Sequence, residues 1–173
     1  GVQVTSHKIN PLIYDFYGFP DELYKIKFET NGDPKMSQEI TKFLSSGEAS
    51  VTEKWGLDHG AWTILKHMYP QSTSIPVFQV SINKSWDLKE HFEFARSFQE
   101  LRKQNYLVIG SGNIVHNLRQ FSWEEMAPTP DWASEFDHFV AENLNNRNFG
   151  ALMEPKESQA KMWMQAHPTS EHY

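Results

Sequence analysis

Three histidines stand in local settings suited to chemistry. His59 lies in Trp55-Gly56-Leu57-Asp58-His59-Gly60. His116 follows the turn Gly110-Ser111-Gly112 in a segment that runs on to Asn117 and Leu118. His172 lies in His167-Pro168-Thr169-Ser170-Glu171-His172-Tyr173. Imidazole is the side chain that titrates nearest neutrality, and it is also the commonest metal ligand. The set therefore suggests a metal site with an acid–base partner. The chain has no cysteine, so disulfides and thiolate ligation are excluded and a metal would rest on His, Asp or Glu. Such ligands suit Fe(II) or Zn(II).

Each histidine also has a plainer reading. His116 could cap the segment after the glycines. The Gly-Ser-Gly turn lacks the third glycine of a dinucleotide fingerprint and the lysine of a phosphate loop. His59 could be an ordinary loop histidine, although glycines on both sides fit a site. His167 and His172 are not spaced as the helical pair of a zinc protease, so the C-terminal motif is expected to give one ligand, with Glu171 as a ligand or its support. His7, His67 and His138 read as structural, and His91 is left open. The aromatic cluster around Tyr14, Phe16, Tyr17, Phe19 and Tyr24 could line a pocket for an aromatic substrate or could simply pack on itself.

The elements that must position these groups follow from the pattern. At 173 residues the chain suits one domain, and 39% hydrophobic content supports a core. The net charge of −6 without a basic stretch argues against nucleic acid as a partner. No apolar run reaches the roughly 18 residues of a membrane span, and no signal peptide is visible. A cytoplasmic enzyme is the default expectation. Apolar spacing after Pro34 predicts a helix over 35–45, and residues 60–68 read as a short helix starting beside His59. The β-formers of 77–82 predict a strand. Asp87 and Glu90 resemble a capping box for a helix whose apolar face is Leu88, Phe92, Ala95, Phe98 and Leu101. Tyr106–Gly110 reads as a buried strand. Strand, helix and strand in that order imply a parallel βαβ unit. Further helices are expected at Trp132–Leu144 and over 155–166. The fold class is α/β, a single domain with a mostly parallel central sheet flanked by helices. Ligands of such sheets bind beyond the carboxyl ends of the strands, which is where His116 would fall.

Taken in order, Ile13-Tyr14-Asp15-Phe16-Tyr17-Gly18-Phe19-Pro20, the His59 segment, Met68-Tyr69-Pro70, Gln79-Val80-Ser81-Ile82, the His116 segment and the His172 segment resemble the class III extradiol ring-cleavage dioxygenases. The likeness is to the 4,5-DOPA dioxygenase branch of the LigB-like superfamily and covers about Ile13 to Tyr173. The resemblance implies a non-haem metal enzyme, with Fe(II) expected and Zn(II) as another bound ion. Its partners would be a small catechol and O2, and its product a ring-opened semialdehyde. By motif match His116 is the acid–base group, or else a metal ligand. His59 contacts substrate or oxygen, and His172 supplies the last metal ligand. Asp58, Tyr14 and Asn113 are expected on the substrate side. The family's N-terminal His-Gly-Ser-Pro and Ser-Ala-His-Trp motifs do not occur in this sequence. The expectation is therefore an internal piece of a longer enzyme, truncated at both ends and inactive alone. Two other functions compete, a zinc-dependent hydrolase and a non-catalytic binding member of the same superfamily.

Overall fold

The structure is a computed structural model that describes residues 1–44, 48–124, 126–154, 156–169 and 173. Helices and a parallel sheet occur together, so the fold class is α/β. The chain divides into two compact units. The first comprises Gly1–Trp86 and Glu90–Ser111, the second Asp87–Lys89 and Gly112–Tyr173.

In the first unit, strand β1 (Val2–Thr5) pairs in parallel with β2 (Ala49–Thr52), in the register Val2–Ala49 through Thr5–Thr52. A parallel pair cannot be closed by a tight turn and needs a crossover. Helix α1 (Pro34–Phe43) lies between the two strands in the chain and packs on both. Its start is written locally. The Asp33 side chain accepts from the amides of Lys35 and Met36, at 2.8 and 3.2 Å, and Pro34 occupies the first turn where no amide is needed. The buried Ser37 hydroxyl donates to the Thr5 carbonyl at 2.8 Å, tying α1 to the end of β1. Ile40 and Leu44 then bury against Val2, Val4, Phe94 and Leu101.

The expected strand pair is not found where the sequence placed it. Residues 77–82 run beside β1, but the bridge Val4–Val80 is antiparallel, with the Thr5 amide donating to Gln79 and the Ser81 amide to Gln3. Tyr106–Gly110 forms no strand, and Leu107 is 72% exposed. An apolar run becomes a strand only where another strand meets its amides and carbonyls, and none does so here among the described residues. The parallel βαβ unit exists instead as β1, α1 and β2. The long helix expected from Asp87 is two helices, α3 (Leu88–Ala95) and α4 (Phe98–Lys103). At the break the Ser97 hydroxyl donates to the Phe94 carbonyl at 2.6 Å and the bonds tighten to three-residue spacing. The buried face carries Phe94 and Leu101, while Ala95 is exposed.

Helix α2 (His59–Met68) also belongs to the first unit, as does a short 3-10 turn at Leu23–Lys25. The second unit is helical. Its core joins Phe136 and Val140 of α5 (Asp131–Asn145), Leu152 of α6 (Phe149–Met153), and Trp163 and Ala166 of α7 (Glu157–Ala166). Both α5 and α7 lie where the sequence places helices, although Leu144 on the expected apolar face of α5 is exposed. No helix among the described residues is long and apolar enough to cross a membrane.

Candidate active site

The His59 site is built by a second parallel contact. Leu12 bridges Leu57 in parallel, the Ile13 amide donating to the Leu57 carbonyl and the Leu57 amide to the Pro11 carbonyl, both at 2.8 Å. The approach is too close for a side chain at position 56. A Cβ on Gly56 would stand 2.0 Å from the Pro11 carbonyl oxygen. Followed two residues on from Ile13 and Leu57, the same direction of travel brings Asp15 opposite His59.

Asp15 grips His59 twice. One carboxylate oxygen accepts from the His59 backbone amide at 3.0 Å and meets ring Nδ1 at 2.9 Å. The first amides of a helix have no partner within it, and the helix dipole favours an anion there. Burial pushes the Asp15 carboxyl upward. The backbone and ring hydrogen bonds of His59, a backbone bond of its own and the charge of a protonated His59 outweigh it, and the net effect holds Asp15 below its ordinary value of 3.8. The His59 side chain is 41% exposed, so reagents in solution can reach it.

Asp58 starts the helix. One oxygen accepts from the Ala61 amide at 3.0 Å, and the other accepts from the Gln79 side-chain amide. Gln79 in turn accepts from the Asp58 amide at 2.9 Å, while its own amide donates to the Thr5 hydroxyl at 2.9 Å. Asp58, expected on the substrate side, thus has both carboxylate oxygens engaged by the chain itself.

Aromatic side chains wall the same place. Phe16 meets the His59 ring edge-on, with centroids 5.6 Å apart. Trp62 is buried, packs at 5.5 Å from Tyr14, and donates its indole N–H to the Ile13 carbonyl at 2.9 Å. The Tyr14 hydroxyl, also expected to meet substrate, donates to the Ile26 carbonyl. Ser111, from the Gly-Ser-Gly turn, donates to the Gly60 carbonyl at 2.6 Å in the first turn of α2.

His116 and Asn113 belong to the second unit. His116 is half-buried, and its backbone amide donates to the Ala166 carbonyl at 2.9 Å. Asn117 donates from its side chain to the Gln165 carbonyl at 2.7 Å. The His116 segment is thereby fastened to the last turn of α7. Asn113 is exposed. Among the described residues the stretch 104–115 directly before His116 forms no strand, so the expectation that it follows a strand's carboxyl end is corrected. His167 is buried between Phe136 and Tyr173, and its Nε2 meets the Ile114 carbonyl, which gives it a structural part. Glu171 and His172 lie outside the described residues.

The structure thus brings Tyr14, Asp58 and His59 into one neighbourhood and adds two residues that the sequence reading missed, Asp15 and Gln79. Asp15 had appeared only as part of an aromatic loop. Its one signal was a lone carboxylate among aromatic residues. Among the described residues no three His, Asp or Glu side chains gather to hold a metal ion. They do not by themselves form the metal site that the resemblance implies.

The sequence matches, over residues 2–172, the family model described as the catalytic LigB subunit of aromatic ring-opening dioxygenase. The 4,5-DOPA dioxygenase extradiol of Escherichia coli (strain K12) is 38% identical over 146 residues, covering 83% of this chain and 53% of that protein. The protein of the same name from Beta vulgaris is 37% identical over 170 residues, covering 95% of this chain and 62% of that protein. The chain therefore spans little more than half the length of these relatives. A crystal structure of an uncharacterized protein from Escherichia coli K12 matches all of this chain and 66% of its own, with a TM-score of 0.73 and 29% identity.

Proposed function

The chain belongs to the LigB family of aromatic ring-opening dioxygenases, and from that premise we propose that the protein it comes from is an extradiol dioxygenase acting on a catechol. The observation that carries the reading is the family match over residues 2–172, together with relatives named 4,5-DOPA dioxygenase extradiol. The reaction joins both atoms of O2 to the ring and opens it beside the two hydroxyl carbons, giving a semialdehyde. DOPA and simple catechols are the proposed substrates. A non-haem metal, Fe(II) by preference over Zn(II), is proposed as cofactor, with His172 contributing one ligand.

The chain's own residues have separate tasks in this proposal. His116 takes a proton from a catechol hydroxyl and later returns it. Imidazole suits a group that must accept and then donate near neutral pH. His59 contacts the substrate or the oxygen through its partly exposed ring. Tyr14 offers a ring face, since its hydroxyl serves Ile26. Asp58 acts at one remove by starting α2 at His59, and the exposed Asn113 contacts the catechol.

The test is oxygen consumption by the full-length enzyme, loaded anaerobically with Fe(II) and given DOPA or a simple catechol. Uptake matched by a yellow semialdehyde supports the proposal. No uptake by a folded, metal-loaded enzyme with any catechol overturns it.

A further inference from the structure

We propose that Asp15 is a positioning residue for His59: it fixes the imidazole as the Nδ1–H tautomer and so presents Nε2 as the acceptor for a hydroxyl of the substrate. The proposal rests on the dioxygenase reading for the identity of that hydroxyl, but the pairing itself rests on geometry.

Three observations carry it. The Asp15 oxygen lies 2.9 Å from Nδ1, within ordinary hydrogen-bond range. A carboxylate only accepts, so Nδ1 must be the nitrogen that carries hydrogen. In a neutral ring the other nitrogen, Nε2, is then a lone-pair acceptor. The same Asp15 oxygen holds the His59 backbone amide at 3.0 Å, so the carboxylate is anchored to the residue whose ring it orients. Phe16 closes one side of the ring edge-on, which restricts its rotation. Asp15 touches no reacting atom in this arrangement. It acts only through His59.

The pair is set by the backbone more than by the side chains. The Leu12–Leu57 bridge and the close passage of Gly56 past Pro11 bring residues 15 and 59 together. Asp58 and Gln79 start α2 at the residue that Asp15 grips. A carboxylate behind the imidazole, opposite the working nitrogen, is a general way of holding a catalytic or ligating histidine in one tautomer.

The experiment compares the full-length enzyme with its Asp15→Ala and Asp15→Asn variants. Ring nitrogen resonances of His59, assigned with a His59→Ala control, are read where the ring is neutral. The expected result is the Nδ1–H tautomer in the parent and in Asp15→Asn, whose amide oxygen can accept the same bond, and a shift toward Nε2–H in Asp15→Ala. Oxygen uptake with DOPA should fall about tenfold or more in Asp15→Ala, in kcat more than in KM, and recover largely in Asp15→Asn. An unchanged tautomer in Asp15→Ala overturns the proposal. So does a changed tautomer with unchanged turnover. If the parent enzyme consumes no oxygen with any catechol, the dioxygenase reading fails while the tautomer comparison still decides whether Asp15 orients His59.

Discussion

The backbone of Gly56 passes so close to Pro11 that a single added carbon would stand 2.0 Å from the Pro11 carbonyl oxygen. That passage holds the Leu12–Leu57 bridge, and the bridge delivers Asp15 to His59. Gly56→Ala must push two backbones apart, which no side-chain rotation can avoid. We expect a loss of about 3 kcal/mol, at the upper end for overpacking. The shift of the denaturant midpoint measures it, and hydrogen exchange of the His59 amide should quicken in parallel. A change below about 0.5 kcal/mol, the level of a neutral surface substitution, would mean that the passage is looser than described.

Trp62 joins packing to one hydrogen bond. Trp62→Phe keeps most of the buried ring but leaves the Ile13 carbonyl without its indole donor. About 1–3 kcal/mol should be lost, the cost of a part-buried acceptor left unmet plus some packing. Trp62→Ala should lose about 3–5 kcal/mol. Denaturation of the three proteins side by side checks the order.

Asp58 caps α2 and Gln79 holds Asp58. Asp58→Ala should destabilise by about 1–2 kcal/mol, the usual range for a lost N-cap. Gln79→Ala should be harmful in the parent and much less so in the Asp58→Ala background, because the two share one network. Additive losses in that double-mutant cycle would separate them.

The depressed Asp15 carboxyl links stability to pH. Its folded value lies below the ordinary 3.8, so the unfolded chain takes up the proton first as pH falls. The contribution is complete above the ordinary value and is lost as pH drops through the folded one. Carbon NMR of the Asp15 carboxyl should give a midpoint below 3.8. His59→Ala should raise that midpoint only part of the way, because the backbone amide at position 59 still donates to Asp15.

Under the proposed mechanism, His116→Ala should lower turnover about a hundredfold or more, as expected for loss of an acid–base group, yet leave metal content unchanged. Metal analysis beside oxygen uptake checks both halves. Loss of metal in step with activity would make His116 a ligand.

Sequence legibility followed how local each signal is. The starts of α1 and α2 were readable to within a residue, from the apolar spacing after Pro34 and from the segment beside His59, while the capping by Asp33 and Asp58 is seen only in the structure. The face of α5 was readable from apolar spacing at Phe136 and Val140, though Leu144 of the same series is exposed; for α7 only the helix itself was readable. Strands were not, since a strand is defined by a distant partner. Tyr106–Gly110 reads as a buried strand, yet only Tyr106 packs on the core and 107–110 are exposed, whereas Ala49–Thr52, with little apolar character, pairs with β1. The break at Ser97 hid inside good helical periodicity. At the site, His59 could be singled out by its flanking glycines, Gly56 and Gly60. Asp15 could not, because its partner is distant in sequence and only the Leu12–Leu57 register brings the two together.

Isotopic labelling follows ring opening by dioxygen atom by atom. The full-length, Fe(II)-loaded enzyme is given DOPA under labelled dioxygen, and the aldehyde is reduced at once so that its oxygen cannot exchange with water. Both labelled atoms should appear in one ring-opened product, one in the carboxylate and one in the former aldehyde. A product with an intact ring, or a ring-opened product carrying oxygen only from water, would rule out ring opening by dioxygen.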